Sequence, residues 1–464
     1  MMMAPIAASK RRYSKPQMAS PNYHRTAFLL DASGQSDGTG YTPEESRQAW
    51  ALTYTGGAAI LSNKFEFDGV NDVITTLHSL LWTFGSKFTL GVMGLEFDVT
   101  NTGTNQGIVC QYNGSSGGIG WTIYEGAGNL VFSWSTNGTG TTNSFIICPA
   151  YVGVSYDVFV CWDGVNIYTM VNGVPRASTP WTANFADADS GIRFGALATS
   201  GSSAQWLNGR FTACFLTRGE CLFPNDGLEY ASPSLPLAMA TPTLTDPEWA
   251  NVIALIGYDA ALNKIRDYGP YDWRLNINNQ AAGTLAQTLA DGTPSIAFDG
   301  TNDSIFIVDD PLVDPTGTTL TLECYSRHTV INTNQDLITK YNATSSQRCC
   351  ILNLAGATNT LNGNLSTNGV ALVSPSGAFT ATSGVFQHKA LCMDGTTARV
   401  FAAGAVIGSA AFSSALFNSN AAWLFGQRTG GGSDLNGHAT EFRITKAARY
   451  TGAFTAPTGA FPRG

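Results

Sequence analysis

The stretch FEFDGVND, Phe65 to Asp72, returns 231 residues later as IAFDGTND, Ile296 to Asp303. The same offset carries STNG from Ser135–Gly138 to Ser366–Gly369, Asp163-Gly164 to Asp394-Gly395, Gly173 to Gly404, and Phe194-Gly195 to Phe425-Gly426. With small slips, VCQYN around Tyr112 matches ITKYN around Tyr341, and LNGRFTACFLTRG from Leu207 matches LNGHATEFRITKA from Leu435. A register shared over most of each half marks a duplicated domain, because solenoid units are only about 20–50 residues long and come in threes or more. The chain reads as two bodies of one fold.

That fold is expected to be all-β. Charged residues make up 12% of the chain, against about 25% in an average soluble domain. Glycine is abundant, at 50 residues. Segments such as VSYDVFVCWDG, NIYTMVNGV, RFTACFLTR, HKALCMDG, ARVFAAGAV and EFRITKAARY are apolar or alternating, and many end in D-G or N-G, pairs that tolerate the positive φ of hairpin turns. TPEESRQAW from Thr42 and DPEWANVIALI from Asp246 offer no more than a short helix or a helical turn each. Strands broken by turns about every 8–12 residues predict sandwiches. The expected organisation is an extended N-terminal arm over 1–25, a β-sandwich over 26–231, a stiff proline-rich linker over 232–247 and a second sandwich over 248–464.

Charge is unevenly placed. The first thirty residues hold Lys10, Arg11, Arg12, Lys15 and Arg25 without an acid, in a chain of net charge −8. A basic arm before an acidic body suits an anionic or acidic partner, and Lys10, Arg11, Arg12 and Lys15 are the candidate partner-binding residues. No specific nucleic-acid recognition is read here. Met1 to Ala8 is too short for a secretory leader, and no apolar run is long enough to span a membrane. The nine cysteines include no C-x-x-C pair; Cys161 and Cys392 sit at one repeat position and read as small buried residues. All thiols are expected to be reduced, with synthesis in a cytoplasm.

The order apolar-F-D-G-x-N-D, a strand such as FTLGV or LTLEC, D-G and N-G hairpins, then a late F-R-I-T strand resembles the concanavalin A-like lectin/glucanase superfamily in its laminin-G-like form. The resemblance covers about 200 residues of each half and implies a jelly roll. The ending EFRITKAARYTGAFTAPTGAFP, Glu441 to Pro462, resembles the tail of such domains in bacteriophage virion proteins. The resemblance also implies that Phe67 and Phe298 point into the core, and that Asp72 and Asp303 bond local backbone amides. The first half departs at LTRGECLFPNDG, which lacks A-R-Y-x-x-x-F, so its closing segment is expected to run differently.

Glucanases of the superfamily carry an E-x-D-x-x-E strand that sets nucleophile and acid on one side of the sugar. Here Glu96 and Asp98 lack the third carboxylate, and Glu323 has no acidic neighbour two residues on. The histidines His24, His78, His328, His388 and His438 form no catalytic motif. No catalytic residue is therefore assigned, no metal site is assigned, and no cofactor is expected. Laminin-G and lectin relatives include calcium binders, for which Asp187, Asp189 and Asp434 are candidates by residue type alone. Trp121, Trp134, Trp206 and Trp423, near Gly/Ser/Thr-rich stretches, are the candidate glycan-stacking residues. These readings converge on a non-enzymatic phage virion protein, a capsid decoration or a fibre or tail component anchored by its arm. Its expected partners are other virion proteins, in an oligomer or in many copies per particle. A glycan-binding receptor fibre is the alternative, with a glycosidase behind it.

Overall fold

The computed structural model describes residues 26–32, 38–39, 51–100, 103–112, 118–139, 142–197, 205–223, 228–233, 246–279, 281–358, 360–379 and 381–463. Lys10, Arg11, Arg12 and Lys15, the segment from Thr42 and most of the proline-rich linker lie outside them. Every strand pair given a register in the described chain is antiparallel, as in the pairing of Thr319–His328 with Gln387–Asp394. DPEWANVIALI forms one 3-10 turn at Trp249–Asn251 and then the strand Val252–Asp259.

Two compact units divide the chain. One holds Phe28–Leu77 and Thr89–Ala240, the other His78–Phe88 and Thr241–Gly464. His78–Phe88, inside the first repeat by sequence, thus groups with the second unit, where the Ser86 amide and hydroxyl donate to Asp272 at 2.7 and 2.9 Å.

Each unit contains a seven-stranded sheet, and the two sheets read in the same order. In the first unit it runs Thr142–Pro149, Asn129–Ser135, Ile119–Gly126, Gln106–Tyr112, Arg193–Phe194, Val73–Thr76, Leu52–Thr55. In the second it runs Ser376–Ala378, Thr360–Gly369, Gln347–Ala355, Gln335–Asn342, Trp423–Phe425, Ser304–Ile307, Asn276–Asn278. The other large sheet of each unit is built around Phe88–Phe97 or Thr319–His328, flanked by the strand that carries Cys161 or Cys392 and by the late strand from Asn208 or Asn436. The fold is a tandem β-sandwich of jelly-roll type, as expected.

The residues that recur in sequence meet one another in space. Phe67 and Phe298 are buried, and each packs against the glycine of the recurring Phe-Gly pair. A Cβ on Gly195 would lie 2.1 Å from the Phe67 ring, and one on Gly426 would lie 2.4 Å from the Phe298 ring. The Asp72 carboxylate accepts the Asp68 amide at 2.9 Å and also the Gly57 amide; Asp303 accepts the Asp299 amide at 2.8 Å. Ser135 and Ser366 each accept the amide of Gly138 or Gly369 at 3.1 Å, closing identical turns. The repeated motif is architecture. Since Gly426 also has φ +87°, Gly426→Ala combines strain with overpacking and is expected to cost roughly 1–3 kcal/mol. A lowered urea midpoint for the second unit would show it.

Candidate functional site

The late strand and its two neighbours place five charged side chains together on the first unit. Arg210 is in register with Glu66 on one side and Glu96 on the other. Its guanidinium donates to Glu96 at 2.9 Å, Asp98 at 3.0 Å and Glu66 at 3.4 Å, while Lys64 donates to Glu96 at 2.6 Å. Burial raises the Glu66 carboxyl above its usual range against the pull of Arg210. The hydrogen bond from Lys64 is the largest influence lowering Glu96. Carboxyls shifted in opposite directions are the pattern of an acid and a nucleophile. Here, however, one guanidinium binds all three acids, so Glu96 and Asp98 serve as partners of Arg210. Sequence reasoning missed Glu66 and Arg210 because only the register places the Arg210 strand between Lys64–Asp68 and Phe88–Phe97.

Glu323, at the corresponding sheet of the second unit, is fully buried. It accepts Arg443 Nε at 2.9 Å, His388 Nε2 at 3.0 Å and Tyr450 Oη at 2.8 Å. Asp246 joins the network, taking Arg443 at 3.0 Å and both Arg449 amino groups at 2.9 and 2.8 Å. Burial pushes the Glu323 carboxyl up, but Arg443, His388 and Arg449 together outweigh it and hold it at about 2. A carboxylate that is ionised at neutral pH and fully paired has no proton to give. A second constellation was invisible in the sequence: Ser326 Oγ accepts Lys389 Nζ at 2.7 Å and lies 3.1 Å from His328 Nε2. Burial lowers Lys389 to about 8 and His328 to about 3. All three side chains are sealed from solvent, so this serine, lysine and histidine form a polar piece of core that no substrate reaches.

The outer face of each large sheet is covered by a strap that follows the late strand. In the second unit the strap is the tail that follows Thr445. Tyr450 and Phe454 stack at 3.6 Å, the Phe454 amide donates to Gly404 at 3.0 Å, and Tyr325 Oη donates to Pro457 at 2.6 Å. In the first unit Cys221, Phe223 and Tyr230 pack on Phe159, Phe215 and Met93, and the Tyr230 amide donates to Gly173 at 2.8 Å. The recurring glycines leave room for this docking, since a Cβ on Gly173 or Gly404 would strike the Tyr230 or Phe454 carbonyl at 1.7 or 2.0 Å. Cys161 and Cys221 form a disulfide, which corrects the expectation that every thiol is reduced; the other seven cysteines are buried.

The tryptophan expectation is corrected as well. Trp121, Trp134 and Trp423 are 1%, 2% and 0% exposed, because strands that alternate toward a closed core bury their aromatic faces. Trp206 alone of the four is half-buried. The calcium candidates are separated: Asp187 accepts Gln111 Nε2 at 2.7 Å and the Asp189 amide at 3.1 Å in the first unit. Asp434 accepts Gln427 Nε2 at 2.7 Å in the second. Among the described residues, no three His, Cys, Asp or Glu side chains are grouped as metal ligands.

One small pocket opens on the second unit at the place the ion cluster holds on the first. It has a volume of about 190 Å³ and is lined by Ala297, Asp299, Thr329, Gly437 and His438 among others. His438 pairs in register with Ala297 and Arg327, as Arg210 does with Glu66 and Glu96. The Thr329 and Asp98 amides make the same bond, to Asn436 and Asn208. Thus Ala297, Arg327, Thr329 and His438 stand where the first unit has Glu66, Glu96, Asp98 and Arg210.

Residues 299–451 match the family model described as the concanavalin A-like lectin/glucanases superfamily, in its laminin G form. No curated protein sequence matches the chain. Among solved structures, the binding domain of Paraclostridial Mosquitocidal Protein 1 is 13% identical with a TM-score of 0.36, over 44% of this chain and 50% of that one. Domains LG4-5 of the mouse laminin alpha1 chain are 10% identical with a TM-score of 0.26, over 82% and 89%. A Ruminococcus gnavus sialidase CBM40 bound to alpha2,3 sialyllactose is 17% identical with a TM-score of 0.26, over 31% and 81%. Likenesses of this degree do not extend to function. Among the described residues no helix is long and apolar enough to cross a membrane.

Proposed function

We propose, from a chain whose second unit carries the concanavalin A-like jelly roll and whose first unit repeats its strand order, that this protein is a non-enzymatic structural component of a bacteriophage particle. In this reading it is a capsid decoration or a fibre or tail component made in the host cytoplasm. The observation that carries the non-enzymatic part is the pairing of Glu96 and Asp98 with Arg210, and of Glu323 with Arg443. The carboxylates a glucanase would use are committed to cations. The particle assignment draws support from the tail Glu441 to Pro462 and from the basic arm with Lys10, Arg11, Arg12 and Lys15, whose charge suits an acidic partner in an assembly.

Deleting residues 1–24 is expected to leave both units folded and to abolish incorporation into particles. Mass spectrometry of particles grown with the truncated chain reads the result, and unchanged incorporation removes the arm from the account. Glycan binding is a second reading, favoured by the pocket beside Asp299 and His438.

A further inference from the structure

We propose that Lys340 and Asp309 of the second unit condense into an intramolecular isopeptide bond, with Asp314 as the proton-transfer group. Lysine is almost never sealed from solvent unless it is paired, and the Lys340 side chain is 0% exposed. Its Nζ donates to the Asp309 carboxyl and, at 2.8 Å, to the Ala421 carbonyl, while Asp314 Oδ1 lies 3.2 Å away. The buried Trp423 ring stands 6.0 Å from Nζ. The fold itself does not ask for an amine here. The match of VCQYN with ITKYN places Gln111 of the first unit at the position of Lys340, and its amide donates to Asp187 at 2.7 Å.

An amine, a carboxyl in contact with it and a second carboxyl that can move protons are the parts that amide formation needs. Asp309 is the acceptor. Burial raises its carboxyl and the neighbouring Asp314 adds to the rise, against the pull of Lys340; a raised carboxyl favours the protonated form, which can lose a hydroxyl. Asp314 moves the protons, since its Oδ1 is buried and holds no hydrogen bond among the described residues. It takes one proton from the Lys340 ammonium. The freed Nζ lone pair attacks Cγ of protonated Asp309, the C–N bond forms, and the C–O bond breaks as the hydroxyl leaves with a second Nζ proton as water. The third proton stays on the amide nitrogen. No oxidant or co-reactant is required. Asp309 is 32% exposed, so the water has a way out, and fixed contact between amine and carboxyl replaces a bimolecular encounter. The bond joins the segment after Ser304–Ile307 to the strand Gln335–Asn342 across 31 residues, which restricts the unfolded second unit. Neither the particle assignment nor glycan binding bears on it.

The test is the intact mass of the full chain after reduction of its disulfide, followed by peptide mapping. The chain is expected to be lighter than its sequence by one water, and a branched peptide is expected to join Asp309 to Lys340. Asp314→Ala keeps the amine and its acceptor and is expected to slow formation about a hundredfold or more, the usual worth of a positioned proton-transfer group, so that freshly made protein retains its full mass. Lys340→Gln, which supplies the first unit's side chain, is expected to keep the full mass permanently. Full mass in the unaltered chain overturns the proposal, whether or not the variants fold. A lost water mapped to any other site overturns it too, as does a branch to Lys340 that forms as fast in folded Asp314→Ala.

Discussion

Glu323→Ala is expected to destabilise the second unit by about 3–5 kcal/mol, the usual result of removing one member of a buried ion network. The Arg443 guanidinium would remain sealed in the sheet with Asp246 as its anionic partner. His388, Tyr450 and Arg449 would lose the acceptor that draws the strap onto the sheet. Urea unfolding of the second unit measures the effect; a change below about 1 kcal/mol, typical of an exposed pair, would show that the network is not structural. The double variant Glu323→Leu, Arg443→Met is expected to recover much of the loss, since apolar residues of similar volume often replace a buried ion pair without cost. The pH dependence has a definite sign. The folded carboxyl, near about 2, lies below its ordinary value of 4.5, so its contribution is complete above pH 4.5 and is lost as pH falls toward 2.

Cys161→Ser is expected to cost the first unit about 2–4 kcal/mol, with the second unit unaffected. The disulfide closes a sequence separation of 60 residues, and a cross-link over that span restricts the unfolded chain substantially. It also pins the strap whose Phe223 covers Phe159 and Tyr168. Differential scanning calorimetry with and without dithiothreitol gives the measurement. A first-unit transition that does not move on reduction would show that Cys161 and Cys221 are not joined in solution. The repeat position supplies an internal control, because Cys392 forms no disulfide and accepts the Thr321 hydroxyl at 3.3 Å.

These cases show how far local sequence reaches. The Asp-Gly and Ser-x-Asn-Gly turns were legible because the side chain that closes each turn lies within a few residues of the amides it binds. Asp163, for example, accepts the amides of Val165 and Asn166 at 2.8 and 2.7 Å. The inward Phe67 and Phe298 were legible from the motif. The tryptophans were misread because loop-like composition around Trp121 and Trp134 gives no information on which face of a strand is covered. The same limit hid Arg210, whose acids Glu96 and Glu66 lie 114 and 144 residues away.

The sequence by itself determined the duplication, the all-β class, the turn chemistry and the positions of the glycines, since each depends on backbone preferences or on a register visible in one dimension. Tertiary structure alone decided that Cys161 meets Cys221, that Glu323 is sealed among cations, and that Arg210 gathers Glu66, Glu96 and Asp98. The physical reason is that side-chain pairing across a sheet depends on strand order and register, and strands adjacent in these sheets are separated by up to about two hundred residues in the chain, as Val252 and Thr445 are.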